Sequence, residues 1–240
     1  MTFPTFDGMR LTLQKLLKRA DAFDLSWSST EQGVERRALI GWLIGNAPHD
    51  ELVQLSLQWG MPAPMVNRWR EGAREAEGVG LTINADLTSL RLYTHRWKGV
   101  APDDFGAVVY TGYKCLADGA VRVDEYKNFG DLRQPENSRY AMENSAHPER
   151  VERVLQSSPD NVPLIYAQIE NSGRRSWLVT VRHAKINAGA VIGKDYQGSK
   201  LLHLAGGIDA TKGAFDTFYV GTSPQDVFEF LNRVNVHAVG

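Results

Sequence analysis

Over its C-terminal two-thirds, this chain alternates residue by residue between two chemistries. In Ser89–Trp97, Leu90 and Leu92 alternate with Arg91, Tyr93, His95 and Trp97; in Val121–Tyr126, Val121 and Val123 alternate with Arg122, Asp124 and Tyr126. Successive side chains of a strand point to opposite faces, so the pattern specifies sheets with one packed face and one polar, aromatic face.

The strand segments come in pairs joined by turn chemistry. Val108–Leu116 and Val121–Phe129 flank Asp118-Gly119, and Leu164–Glu170 and Trp177–Ala184 flank Asn171-Ser172-Gly173. Lys200–Ala205 and Ala214–Val220 flank a longer loop carrying Gly206, Gly207 and Gly213, and Gly80–Ile83 pairs with Leu90–Trp97 through a turn at Asp86.

The first quarter has helical spacing instead. Met9, Leu13, Leu16, Leu17 and Ala20 form one stripe, followed by a polar break at Ser26–Thr30. Ser28 with Glu31 has capping-box spacing, and Val34, Ala38, Leu39, Trp42 and Leu43 then predict a helix from about Thr30 to Gly45. Pro48 opens another, with Leu52, Val53, Leu55 and Trp59 inside and Gly60 as its stop; Met65, Val66 and Trp69 carry a polar helix that ends near Gly78. Ala146–Leu155 and a segment starting at Ser223-Pro224, with Val227, Phe228 and Leu231 inside, complete the helices. The expectation is one α+β domain over residues 1–240. A helical part, 1–78, packs on a hairpin-rich part, 79–240, whose eight or so antiparallel strands, or more, form a barrel or strongly curved sheet surrounded by helices. Closure into a barrel would hide the sheet edges and enclose the polar face.

With the aliphatic alternates turned to the helices, the other face collects Arg91, Tyr93, His95, Trp97, Arg122, Asp124, Tyr126, Tyr166, Gln168, Thr180, Arg182, His203, Thr217 and Tyr219. In Val108–Leu116 the parity is open, and either Tyr110 with Lys114 or Thr111 with Tyr113 joins them. A sheet face of this kind is often just solvated, with cations paired to acids. Two histidines, Trp97 and several tyrosines make it richer in rings than a wetted surface needs. In a water-poor cavity the cations would gather an anion such as a diphosphate, and the rings would favour a positive centre.

Cationic and tyrosine side chains two residues apart on helix-wrapped hairpins resemble the ABBA, or PT-barrel, aromatic prenyltransferases. Arg91-Leu92-Tyr93 carries the resemblance best, with Arg122 and Tyr126, Tyr166-Ala167-Gln168 and Tyr219, across roughly residues 80–234. The resemblance implies transfer of a prenyl group from an allylic diphosphate to an aromatic or peptide acceptor, with neither metal nor cofactor. Arg91, Lys114, Arg122 and Arg182 would hold the diphosphate, and Tyr93, Tyr126, Tyr166 and Tyr219 would shield the allylic cation. Asp124 would accept the substrate proton or else neutralise Arg122, and His95, Gln168 and His203 would complete the cavity. About four hairpins are visible where the usual barrel of this family has five. The same face would also serve a non-catalytic barrel that binds a small aromatic or anionic ligand.

Other signals are weaker. Leu52–Gly72 has helix, turn, helix spacing that would present Arg68, Arg70 and Arg74 to DNA, but Glu71, Glu75 and Glu77 offset them, and a helical hairpin packed on the sheet is the commoner outcome. Lys and Arg total 27 against 28 Asp and Glu, so no global field steers the chain to nucleic acid or an acidic membrane. The single Cys115 forms no internal disulfide and reads as a small core residue. Met1–Arg10 lacks a long apolar run, which makes a cytoplasmic location the expectation. No His-x-x-x-His metal spacing, phosphate loop or Gly-x-Ser-x-Gly elbow occurs in the sequence.

Overall fold

A computed structural model describes the backbone of residues 6–30, 33–85, 88–98, 100–101, 103–116, 118–157, 164–169, 175–182, 185–209 and 213–237. Side chains are described for the same residues except 6–8, 10, 164, 167–169 and 234–237. The expected turns at Asp86 and Asn171-Ser172-Gly173, and the Gln168 side chain, lie outside the described residues.

Ten strands form a closed antiparallel barrel: β1 (Ala22–Thr30), β2 (Gly33–Leu43), β3 (Gly78–Asn84), β4 (Ser89–His95), β5 (Val108–Leu116), β6 (Val121–Asp131), β7 (Leu164–Ile169), β8 (Arg175–Thr180), β9 (Leu201–Asp209) and β10 (Gly213–Gly221). Each pairs with its neighbours in sequence, and β1 closes on β10 with Leu25 opposite Val220 and Ser26 opposite Tyr219. Closure leaves no unpaired edge. Around the barrel lie α1 (Phe6–Leu17), α2 (His49–Trp59), α3 (Ala63–Arg74), α4 (Pro135–Glu143), α5 (Pro148–Ser157), α6 (Ala188–Val191) and α7 (Pro224–His237).

The helix expected over Thr30–Gly45 is instead strand β2, and the polar break before it belongs to strand β1. The first 78 residues therefore contribute two strands as well as three helices. Val34, Ala38, Leu39, Trp42 and Leu43 fit a 3.6-residue period, but Ala38, Ile40 and Trp42 fit a two-residue period equally well, and these three are the buried ones. The decision is tertiary, because β2 has partners on both sides, β1 and β3, and satisfies its backbone there. These two strands are the fifth hairpin.

The hydrophobic core lies outside the barrel, not within it. Outward residues of β2 to β5, including Ile40, Trp42, Leu81, Leu90, Leu92 and Cys115, pack with α1, α2, α3 and α7. Outward residues of β7 to β10, including Ile165, Trp177, Val179, Leu204 and Phe218, pack with α4, α5 and α6. Helix α3 is docked by Val66 and Trp69, and the Trp69 indole donates to the Tyr93 carbonyl at 3.2 Å. The α2–α3 pair is thus a helical hairpin on the barrel wall, with Arg68, Arg70 and Arg74 exposed. Among the described residues, no helix is long and apolar enough to cross a membrane.

Bulges in β5, β6 and at the β9–β10 pairing help the sheet turn through a full circle. In β6 the bulge leaves Gly130 at φ 89°, and the Asn128 side chain accepts its amide at 3.0 Å. A side chain at Gly130 would be strained.

Candidate active site

Because the core is outside, the alternates left over must fill the lumen. Strand pairing sorts them into rows. Across β3 to β6 one row runs Thr82, Arg91, Lys114, Arg122; the next Gly80, Tyr93, Gly112, Asp124; the third Gly78, His95, Tyr110, Tyr126. Across the seam, Thr180, His203, Tyr219, Ser26, Arg37 and Asn84 are successive partners on β8, β9, β10, β1, β2 and β3. The open parity of β5 is thereby resolved: Tyr110 and Lys114 face inward, and Tyr113 lies under α3, where its hydroxyl oxygen is 2.7 Å from the place a Gly72 Cβ would take. Gly112 leaves room for the inward side chains, since a Cβ there would lie 3.1 Å from Arg91 Cδ and 3.2 Å from Tyr93 Cε1.

The first row carries the positive charge. Arg91 Nη2 lies 2.9 Å from Asp124 Oδ2, Arg122 Nε 2.6 Å from Asp124 Oδ1, and Arg122 Nη2 donates to Oδ2 at 3.0 Å. The Asp124 side chain is wholly shielded from solvent, as a carboxylate held by two guanidiniums can be. Arg91 also donates to the Tyr93 hydroxyl at 3.0 Å, with its guanidinium carbon 5.5 Å from the ring centre. Arg37, held by Glu35 at 2.7 Å, joins the group from β2. Lys114 sits in the middle. Burial, and then repulsion from Arg91, Arg37 and Arg122, pushes its amine down to about 7. Four basic side chains against Glu35 and Asp124 make this a place where an anion is favoured. It opens to a cleft of about 310 Å³ lined by Glu35, Asn84, Thr88, Ser89, Lys114, Leu116 and Asp118, at the end of the barrel where β3 turns into β4 and β5 into β6.

The other rows are aromatic. His95 meets Tyr110 edge-on at 4.9 Å, Tyr110 meets Tyr166 at 5.2 Å, Tyr93 meets His95 at 6.2 Å, and His203 meets Tyr219 at 5.6 Å. Burial, reinforced by Arg182, lowers His95 to about 3 and takes His203 well below its ordinary value. Burial also raises the phenols of Tyr110, to about 12, and of Tyr166 and Tyr219. At neutral pH the imidazoles and phenols here are therefore uncharged, and the charge beside them is that of Arg182, which is paired with Asp24. Trp97 lies beyond the end of β4, 40% exposed, with its ring edge-on to His95 at 5.6 Å.

Arg182 does not join Arg91 and Arg122. It belongs to the segment leaving β8 and pairs with Asp24 at 3.3 Å, Nη2 to Oδ2, beside His95, Tyr110 and His203. Asp24 is 1% exposed, and its burial, opposed by Arg182, raises its carboxyl to about 6. Among the described residues, Asp24 Oδ1, Ser26 Oγ and His203 Nδ1 have no hydrogen-bond partner although all three are buried. Buried polar atoms left in this way are unusual in a native fold. Asp24, Ser26, Glu35 and Arg37 are not among the residues expected on this face, because Ser26–Thr30 reads as a polar break and Thr30–Gly45 as a helix. The signal was present in β1, where Phe23, Leu25 and Trp27 alternate with Asp24, Ser26 and Ser28.

The closed ten-stranded antiparallel barrel wrapped in helices fits the resemblance to the ABBA, or PT-barrel, fold. The chain is similar to the NotF prenyltransferase, at 9% identity and a TM-score of 0.50, over 85% of this chain and 81% of that one. It is also similar to AnaPT from Neosartorya fischeri, at 9% identity and a TM-score of 0.47, over 85% of this chain and 78% of that one. The sequence matches no protein-family model and no curated protein.

Proposed function

We propose that this barrel is a prenyltransferase-like enzyme that moves a prenyl group from an allylic diphosphate to an aromatic or other electron-rich acceptor, without a metal. The observation that carries this reading is the division of one lumen into a cationic row at a cleft and rows of uncharged aromatic rings beyond it, with the Asp24–Arg182 pair beside them. Arg37, Arg91, Lys114 and Arg122 would hold the diphosphate through charge-assisted hydrogen bonds, which takes the place of a metal's charge. Heterolysis of the allylic C–O bond leaves diphosphate on these cations and an allylic cation among Tyr93, Tyr126, Tyr166 and Tyr219. Their ring faces stabilise it, and exclusion of water keeps it from forming the alcohol.

The acceptor then forms the new C–C or heteroatom bond and loses one proton. Asp124 is occupied by two guanidiniums, so its role in this scheme is to position Arg91 and Arg122. Asp24, with a free Oδ1 and a carboxyl near 6, is the better proton acceptor.

Incubation with dimethylallyl or geranyl diphosphate and a panel of aromatic and peptide acceptors, followed by mass spectrometry, should show a prenyl mass gain in the presence of a chelator. Absence of diphosphate binding by calorimetry would overturn the proposal. Both buried acids of the lumen, Asp24 and Asp124, are already paired with arginines, which also suits a barrel that only binds its ligand. Saturable binding with no product from any acceptor would establish that second reading.

A further inference from the structure

We infer that Lys114 is a nucleophilic amine that captures small carbonyl compounds carrying an anionic group, as an imine at the mouth of the barrel. Lys15, Lys18, Lys98, Lys127, Lys185, Lys194 and Lys200 are all exposed, whereas Lys114 is partly withdrawn. It lines the cleft beside the cationic row, where Arg91, Arg37 and Arg122 repel its charge and Glu35 attracts it.

The groups that face it come from every neighbouring element. Arg91 on β4 and Arg122 on β6 are its cross-strand partners, Asp124 lies behind them, Arg37 and Glu35 approach from β2, and Asp118 stands in the turn after β5. Burial disfavours its proton, and the three neighbouring guanidiniums act in the same direction. With the amine near 7, roughly half of the molecules carry it neutral at pH 7, against about one in a few thousand for an ordinary lysine. A lysine desolvated beside other cations is a general route to a Schiff-base nucleophile.

The step balances without a further reagent. The lone pair of Nζ adds to the carbonyl carbon, a proton passes from nitrogen to oxygen, and the carbinolamine loses one water to leave the C=N bond. The guanidiniums that lower the amine's basicity also attract the anionic group of the incoming molecule, so carbonyl and anion are recognised by the same cluster. Among mono-carbonyl anions, both 2-oxo acids and phosphorylated aldehydes have this chemistry.

Pyridoxal 5′-phosphate followed by sodium borohydride tests the inference on the full-length chain. Peptide mass spectrometry at pH 7 should find the reduced adduct on Lys114 at least about tenfold faster than on any other lysine. Pyridoxal, which lacks the phosphate, should label it about tenfold more slowly, and inorganic diphosphate should protect it. Lys114→Arg should lose the label, and Lys127→Arg, at an exposed lysine outside the site, should keep it. Labelling spread over the exposed lysines, or equal rates for pyridoxal and its phosphate, would overturn the inference. The readout needs no prenyl transfer, so a chain that makes no prenylated product can still show the adduct, and the converse also holds.

Discussion

Asp24 and Arg182, 158 residues apart in sequence, meet across two intervening strands, Oδ2 to Nη2 at 3.3 Å, and tie the first strand of the barrel to the segment that leaves the eighth. The pair exists only because β1 closes on β10. It divides the lumen's charge into two separate sites, Asp24 with Arg182 beside the histidines, and Asp124 with Arg91 and Arg122 beside Lys114. The two acids are equally buried, yet one has two cationic partners and the other has one.

That difference predicts how stability varies with pH. The Asp24 carboxyl is raised to about 6 in the folded chain against 3.8 as the reference, so the folded state binds this proton more tightly than the unfolded state. The resulting contribution is fully present below about 4 and is lost as pH rises through 6. Relative to Asp24→Asn, wild-type stability should therefore rise by up to about 3 kcal/mol as pH falls from 7 to below 4. Urea denaturation of both proteins across that range measures the difference; a constant difference would show that Asp24 keeps an ordinary carboxylate.

Asp124 should behave as a clasp. Its replacement by Ala leaves Arg91 and Arg122 facing each other, with Lys114 and Arg37 nearby, and no buried acid between them. A loss of about 3–5 kcal/mol is expected, as for other buried ion pairs cut on one side. Chemical denaturation reads it directly. Added diphosphate should restore part of the loss in proportion to its concentration, since an anion supplies the missing negative charge.

Much of this arrangement was legible in the sequence, and the gaps have physical causes. Most of strands β3 to β10 are visible because turn residues separate them and, as in β4 and β6, aliphatic residues keep one parity. Arg91, Arg122 and Asp124 follow from that parity, whereas Lys114 needs the pairing of β5 with β4 and β6. Parity gives the face of a strand and not the height along a tilted barrel, so Arg182 was grouped with cations it does not meet. Asp24 and Arg37 are hidden because β1 holds a polar run and β2 also fits a helical period, and closure supplies only the meeting of Asp24 with Arg182. Helix α4 was missed because its buried residues are Asn137 and Ala141, too few and too polar to make a stripe. Asn137 earns its buried position by donating to the Phe129 and Asp131 carbonyls at 2.8 and 2.9 Å, which fixes the end of β6.

Diphosphate binding should carry the signature of Lys114. Because its amine lies near 7 when the site is empty, binding an anion above that pH requires uptake of a proton. Calorimetry should show wild-type affinity falling, relative to Lys114→Arg, by up to roughly tenfold for each pH unit above 7. Replacement of Arg37 by Ala should weaken binding at all pH values. The Arg182→Ala change should leave diphosphate affinity within about twofold, because that side chain is committed to Asp24 at the other site. Equal losses from Arg182→Ala and Arg37→Ala would mean that the two sites act as one.

The aromatic chamber should control where the allylic cation goes. Tyr166 is 6% exposed, packs edge-on against Tyr110 at 5.2 Å and holds its phenol proton well above the usual range. Its replacement by Phe keeps the ring face and should leave transfer nearly intact. Tyr166→Leu removes the π face from a desolvated site, where such a contact is worth up to about 2 kcal/mol, or roughly thirtyfold in rate. The change should also let water compete, so the ratio of prenyl alcohol to prenylated acceptor rises while diphosphate affinity stays the same. Chromatography of both products from one reaction gives that ratio, and a slower reaction with an unaltered ratio would mean that Tyr166 supports the wall without touching the cation.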